Sequence, residues 1–300
     1  MPVCDNCGME VSTDPYLRDN KIFCSKRCYD HYIETRRLSD ELRKAHELTI
    51  DVLVTALDAR EKETGKHSHR VARYTLLMAE RMGLSKEECR IAYHGALLHD
   101  IGKIGVSDNI LLKPDTLSED EWIEMRKHPV IGHNILKDID YFSGAREIVL
   151  THEERYDGTG YPRGLHGDEI PLGARLFVIS DTIDAITFDR PYRKAKPFSI
   201  AKEEIAAHSG TQFDPLTVSV FDKCAKDIEE LVHIYYQEIM RYKEKKILHD
   251  PVCTMDMDRD SRFYSLYKDK TYYFCSKNCK ELFDINPKRY WQNNNNGAKG

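Results

Sequence analysis

The sequence predicts a mainly α protein, with a long helical region set between two small cysteine-rich modules. Three observations carry this reading. Apolar residues recur at helical spacing through the middle of the chain. Seven of the nine cysteines sit at the two ends, four up to Cys28 and three from Cys253 onward. No apolar run approaches the ~20 residues needed to cross a bilayer. A chain of 300 residues has room for one sizeable helical domain plus smaller modules.

The elements follow in chain order. Residues 1–37 form the first cysteine module, with Cys4, Cys7, Cys24 and Cys28. Residues 38–247 form the central domain, opened by a linker helix over 38–60. In that helix Leu38, Leu42, Ile50, Leu53, Val54 and Leu57 fall at mostly helical spacing, and Ser39 is the expected N-cap. Further helices are expected over 67–82, 86–99, 118–137 and 172–188. Residues 156–171 are rich in glycine and proline and are expected to be a loop. Leu176–Ser180 has strand propensity, but its neighbours are helical and it is read as helix. Cys89 and Cys224 stand alone and are expected to be buried as small apolar residues. Residues 248–292 form the second cysteine module, and 293–300 a frayed, disordered tail.

Charged residues make up 32% of the chain and aromatics 10%, which is a globular rather than a disordered composition. The net charge of −5 argues against a partner such as polymeric DNA or RNA. The start, MPVCDNCGMEV, lacks a charged stretch followed by an apolar one, so a cytoplasmic protein without membrane contact is expected. In a reducing compartment clustered cysteines point to metal rather than to disulfides. The two clusters share a pattern, C-x-M followed by F-C-S-K-x-C, at Cys7–Met9 with Phe23–Cys28 and at Cys253–Met255 with Phe274–Cys279. That is the signature of one small module used twice.

The central region holds His67, His99-Asp100, His128, His152 and Asp181, the imidazoles and carboxylates that divalent first-row metals bind. Any one of these alone reads as an ordinary satisfied polar residue. In ALLHDIGK an apolar helix carries His99-Asp100 inward, where an uncompensated carboxylate is costly and a metal would offset the cost. Lys103 shares that face and could meet a phosphate oxygen; a capping aspartate with a surface lysine is the alternative. Glu63 and His67 are four apart, although Glu63 also reads as a surface charge. His69 points elsewhere, towards solvent. Glycines around Asp157–Pro162 allow a tight loop near a ligand, with Tyr161 stiffening it. Arg190 and Arg193 supply forks suited to phosphate, or else form a solvated run. His94, His133, His166, His208 and His233 are read as structural.

In this order the motifs resemble the HD-GYP family of bacterial phosphodiesterases, over roughly residues 50–225. The match comprises T-G-x-H-S at Thr64–Ser68, HDIGK at His99–Lys103, KP at Lys113-Pro114 and HPVIG at His128–Gly132. It continues with DGTGYP at Asp157–Pro162, DTIDA at Asp181–Ala185, DRPYR at Asp189–Arg193 and GTQFDP at Gly210–Pro215. The resemblance implies an all-α HD helical bundle around two or three divalent metals, usually iron or manganese. It assigns His67, His99, Asp100, His128, His152 and Asp181 as ligands, with Glu63 as an additional one. It places Lys103, Arg190 and Arg193 against phosphate, and Tyr161 in a loop flanking the substrate site. Where the family usually has two adjacent histidines, this chain has His152-Glu153. Glu153 is therefore expected to bind metal and to favour iron or manganese over zinc. The alternative is a site that has lost a metal.

The terminal modules resemble the YHS and TRASH small α+β metal-binding domains, the C-terminal copy more closely. Cys4, Cys7, Cys24 and Cys28 would complete a four-thiolate site for zinc or another thiophilic metal. Cys253, Cys275 and Cys279 need a fourth ligand, for which Met255 and His249 are candidates, or leave an open site. The resemblance implies metal-dependent hydrolysis of a cyclic dinucleotide such as cyclic di-GMP to the linear dinucleotide or mononucleotide. Asp100 and Lys103 would carry the chemistry, and metal binding at the ends would regulate it. Two rivals stand beside this: a catalytically weak domain that senses the dinucleotide, and a metal sensor or carrier. Candidate partners are a signalling protein at the GYP loop and a second copy of the chain.

Overall fold

The computed structural model describes residues 1–11, 14–61, 67–189, 193–244, 248–257, 261–268 and 270–291. It divides into two compact units, Met1–Glu230 and Leu231–Gly300. No helix of the described residues is long and apolar enough to cross a membrane.

The first unit opens with an antiparallel hairpin, β1 (Tyr16–Arg18) and β2 (Lys21–Phe23), in which Tyr16 pairs with Phe23. Phe23 is fully buried and packs with Cys4 and Val11. Helix α1 (Lys26–Glu61) follows directly, its first turn tied by the Cys28 N–H donating to Ser25 Oγ. The expected start near Ser39 is thus corrected: Ser39 lies inside one helix of 36 residues. The early part has no buried stripe, because Leu38 and Leu42 are exposed and burial begins at Ile50, Val54 and Leu57. Ion pairs at helical spacing hold it instead, Arg37 with Glu34 and Glu41, and Arg43 with Asp40 and Glu47.

A helical bundle makes the core. It comprises α2 (His67–Met82), α3 (Lys86–Leu98), α4 (Asp108–Leu111), α5 (Glu119–Met125), α6 (His128–Leu136), α7 (Ser143–Thr151), α8 (Leu172–Thr187) and α9 (Phe198–Ala207). Helix α3 packs on α2, α7 and α8, around Val71, Leu98, Val149 and Phe177. Its start is a capping box between Ser85 and Glu88. The helix expected over 118–137 is two helices, because Pro129 lies in the first turn of α6, where its missing N–H costs nothing. Leu176–Ser180 is helical, and it resembles a strand because Leu176, Phe177, Ile179 and Ser180 are all buried. Residues 156–171 form the expected loop, with one short 3-10 turn at Gly167–Glu169. Cys89 and Cys224 are buried, as expected.

Helix α10 (Pro215–Glu244) contributes its first half to this unit and its later residues to the second. The second unit continues with β3 (Leu248–His249) paired to β4 (Asp256–Met257), and β5 (Phe263–Tyr267) paired to β6 (Lys270–Phe274). Helices α11 (Lys277–Ile285) and α12 (Pro287–Trp291) close it, and Phe274 and Phe283 form its buried centre. The frayed tail expected over 293–300 lies outside the described residues.

Candidate metal centre

The ligand residues of the first unit sit mostly at helix ends. His67 opens α2, His99 ends α3, His128 opens α6 and His152 ends α7, while Asp181 projects from within α8. Asp100 leads into a 3-10 helix, Ile101–Gly105, that lies against α6. Gly102 permits that approach: a Cβ there would stand 1.9 Å from the His128 carbonyl oxygen.

The rings are oriented by what their Nδ1 atoms touch. Nδ1 of His99, His128 and His152 each lies 2.8 Å from a carbonyl oxygen, of Ala96, Met125 and Val149. A carbonyl only accepts, so each Nδ1 carries the proton and Nε2 is turned inward as a ligand. His67 uses Asp184 for the same purpose, at 2.7 Å, and its Nε2 lies 3.6 Å from Asp181. Asp184 also takes both Nε and Nη2 of the buried Arg70. Burial pushes the Asp184 carboxyl up, but His67 and Arg70 outweigh it and bring it down to about 2. Reading DTIDA identified Asp181 and missed Asp184; their three-residue spacing on one helix was the available signal.

Asp100 joins two groups of ligand atoms. His67, His99 and Asp100 form one, and Asp100, His128 and His152 the other, each within 4.8 Å. Asp100 Oδ2 is 3.0 Å from His99 Nε2, while Oδ1 is 3.4 Å from His128 Nε2 and 3.9 Å from His152 Nε2. Burial opposes its ionisation, but His99 and Lys103 hold its carboxyl well below the usual range. The Nε2 atoms of His128 and His152 face each other at 3.0 Å. With both Nδ1 atoms protonated, two lone pairs meet there, an arrangement that a cation bound to both would relieve. Burial, then the neighbouring histidines, pulls both rings down to about 4. A second proton is thus disfavoured at neutral pH, and divalent metal fits the pair.

Lys103 Nζ is 2.7 Å from Asp100 Oδ2 and 3.4 Å from Glu61, a partner at the end of α1 that sequence reading missed. Glu153 is half-buried, with Oε1 4.0 Å from both His128 Nε2 and His152 Nε2. Loss of water raises its carboxyl above the usual range, against the pull of His128 and a hydrogen bond from Tyr161. Tyr161 therefore reaches the site through Glu153, and the Arg126 guanidinium lies 5.4 Å from its ring centre. The loop is held by a second carboxylate that sequence reading missed: buried Glu154 accepts the N–H groups of Arg163 and Leu165. Arg193 is half-buried and makes no ion pair with the cluster among the described residues. Glu63 and Arg190 lie outside the described residues. His69 is corrected from solvent-facing to half-buried, 3.4 Å from Asp51 of α1.

The cysteine modules make two further clusters. Cys4, Cys7, Cys24 and Cys28 bring their sulfurs within 4.8 Å of one another. Burial pushes the Cys4 thiol up, but the backbone N–H groups of Cys7, Asn6 and Cys24 outweigh it and lower it to about 6. In the second unit Asp250 groups with Cys253, Cys275 and Cys279, a candidate that the sequence reading did not weigh beside Met255, His249 or an open site. Met255 is exposed, whereas Asp250 is fully buried.

Residues 51–216, more than half of the chain, match the model of the HD domain family. The chain belongs to the HD domain family. Residues 248–294 of this HD-domain chain match the YHS domain. The chain is 37% identical over 208 residues to a probable cyclic di-GMP phosphodiesterase of Vibrio cholerae serotype O1, covering 63% of this chain and 47% of that one. It is 39% identical over 184 residues to a cyclic di-GMP phosphodiesterase of Thermotoga maritima, covering 61% and 50%. It is 36% identical over 189 residues to a 3'3'-cGAMP-specific phosphodiesterase of the same Vibrio, covering 62% and 36%. The chain spans about half the length, or less, of these relatives.

Proposed function

We propose that the HD domain hydrolyses a cyclic dinucleotide, foremost cyclic di-GMP, to the linear dinucleotide or mononucleotide. The observation that carries this is Asp100, shared between two three-ligand groups, as a two-metal phosphodiesterase centre requires. The named activities of the relatives support the same substrate class. His67, His99, Asp100, His128, His152 and Asp181 would hold the metals, with Glu153 beside the second group. Iron or manganese fits this donor set of nitrogen and oxygen without thiolate. Bound metals would supply a nucleophile at neutral pH and offset phosphoryl charge. The chain's own contribution is positioning. Asp184 fixes His67, the helix-end carbonyls fix the other rings, and Lys103 stands ready to meet charge on the leaving oxygen. Tyr161, Arg190 and Arg193 would orient the ligand. Zinc or another thiophilic metal would occupy the cysteine modules and regulate the domain, a role we place in the cytoplasm.

The test is incubation of anaerobically purified protein with cyclic di-GMP and ferrous or manganous ion. Linear product is expected, and it is lost in Asp100→Ala protein. If metal binds and neither cyclic di-GMP nor a hybrid cyclic dinucleotide is cleaved, the hydrolase reading fails. Glu153, whose carboxylate replaces the usual second histidine, would then favour a binding domain.

A further inference from the structure

The two cysteine modules share one backbone frame and differ at a single telling position. In the first, the Cys4 N–H donates to the Met9 carbonyl and the Gly8 N–H to the Cys4 carbonyl, both at 2.9 Å. In the second, the Asp250 N–H donates to Met255 at 2.9 Å and the Thr254 N–H to Asp250 at 2.8 Å. Gly8 and Thr254 both have positive φ, of 74° and 61°. Ser25 Oγ accepts from Cys28 N, and Ser276 Oγ accepts from Cys279 N, each at 3.2 Å. Phe23 and Phe274 directly precede Cys24 and Cys275 and are fully buried. In this frame Cys4 stands where the second module has Asp250.

The two side chains stand at the same place in the frame. Asp250 accepts from Val252 N at 2.7 Å, Cys253 N at 3.3 Å and Cys275 N at 2.8 Å. Cys4 is buried at the corresponding place, with its sulfur within 4.8 Å of those of Cys7, Cys24 and Cys28. A cradle of three N–H groups orients the Asp250 carboxylate. The remaining sulfurs are spaced for a metal. A tetrahedral ion with metal–sulfur bonds of about 2.3 Å has sulfur–sulfur edges of about 3.8 Å. Cys7 and Cys24 are 3.8 Å apart, Cys253 and Cys275 3.5 Å, and Cys275 and Cys279 3.7 Å.

We propose that Asp250 is the fourth ligand of the C-terminal module, which makes it a three-thiolate, one-carboxylate counterpart of the four-thiolate site expected at Cys4, Cys7, Cys24 and Cys28; this deepens the metal reading of the modules proposed above. The exchange of one donor gives one protein two metal sites of different softness. The first suits zinc, cadmium or copper(I), and the second tolerates harder ions.

The test is cadmium NMR on the full chain and on two reciprocal variants, Cys4→Asp and Asp250→Cys. Each substitution supplies the side chain that the other copy carries at the same place in the frame, so both modules are expected to fold. Wild-type protein should give two thiolate-type resonances, the four-thiolate one more deshielded and the other less so. The nitrogen- and oxygen-ligated ions of the HD domain fall in a separate, shielded region. Cys4→Asp should move the more deshielded resonance to the position of its partner, and Asp250→Cys should move the other in the opposite sense. A Cys4→Asp protein that keeps both resonances in place overturns the assignment, because Cys4 would then be no ligand. Should that variant fail to fold, an Asp250→Cys protein whose resonance does not move overturns it as well.

Discussion

Asp184 decides more at the metal centre than its distance from any proposed substrate suggests. It fixes the proton on His67 Nδ1 and neutralises the buried Arg70 guanidinium, which also stacks 4.0 Å from the Phe188 ring centre. Asp184→Asn leaves that guanidinium buried without its counter-charge. A loss of about 3–5 kcal/mol of stability is expected, read as a fall in denaturation midpoint. Metal affinity should fall by roughly 10–100-fold as His67 loses its orienting partner, measured by competition with a chelator. The pH dependence has a definite sign. The carboxyl is depressed to about 2, so its contribution is complete above the ordinary carboxylate value and is lost as pH falls through about 2. The stability gap between wild type and Asp184→Asn should therefore be constant near neutral pH and shrink below about pH 4. A gap that widens on acidification would contradict this. At Glu153 the expectation is a change in metal content. Glu153→His protein should gain affinity for zinc relative to manganese, and unchanged metal identity and stoichiometry would show that Glu153 is no ligand.

Among the elements, the 3-10 helix Ile101–Gly105 sets the spacing of the whole centre. It carries Lys103 and brings Asp100 against α6, and Gly102 is the point of closest approach. Gly102→Ala places a methyl group inside the His128 carbonyl. The helix must then move away, at a cost of about 1–3 kcal/mol, and the second ligand group opens. Metal analysis should find at least one ion lost while far-UV circular dichroism stays helical; full metal occupancy would refute the argument. The GYP loop depends on Glu154 in a comparable way. Its buried carboxylate is paired with two backbone donors, so Glu154→Ala leaves both N–H groups unsatisfied. Faster hydrogen exchange across residues 156–165 is expected, together with a higher KM and little change in metal content.

For the chain as a whole, α1 joins the N-terminal cysteine site to the HD centre within the first unit. At 36 residues it is about 54 Å long. At its far end Arg60 donates to the carbonyls of Lys103, Ile104 and Val106 and pairs with Asp108, while Glu61 pairs with Lys103. Arg60→Ala removes a charged donor from several carbonyls at once, and a loss of about 1.5–3 kcal/mol is expected from thermal unfolding. A regulatory effect of metal at the N-terminal module would run along this helix. Removing residues 1–35 and 249–300 should abolish any response of turnover to added zinc or copper, and equal activity with and without metal in the full chain would rule regulation out.

The sequence by itself determined the order of the HD and YHS domains and the helical character of the centre, and it nominated most of the candidate ligands. Histidines, aspartates and cysteines announce their chemistry by type and spacing, as HDIGK, HPVIG and the paired F-C-S-K-x-C runs do here. Tertiary structure decided what depends on through-space partners. Glu61, Glu154 and Asp250 carry no signature of their own, and Asp184 only its three-residue spacing from Asp181, because a carboxylate reads as surface charge until its donors are known. The length of α1 was hidden for the same reason, since its exposed half is held by ion pairs rather than by an apolar stripe. Sequence spacing could nominate Met255 or His249 as a fourth ligand, but only the folded hairpin shows which side chain the backbone N–H groups gather. The sharing of Asp100 between two candidate ligand groups likewise arises only where the ends of α3, α6 and α7 meet, and no reading of sequence spacing alone shows that meeting.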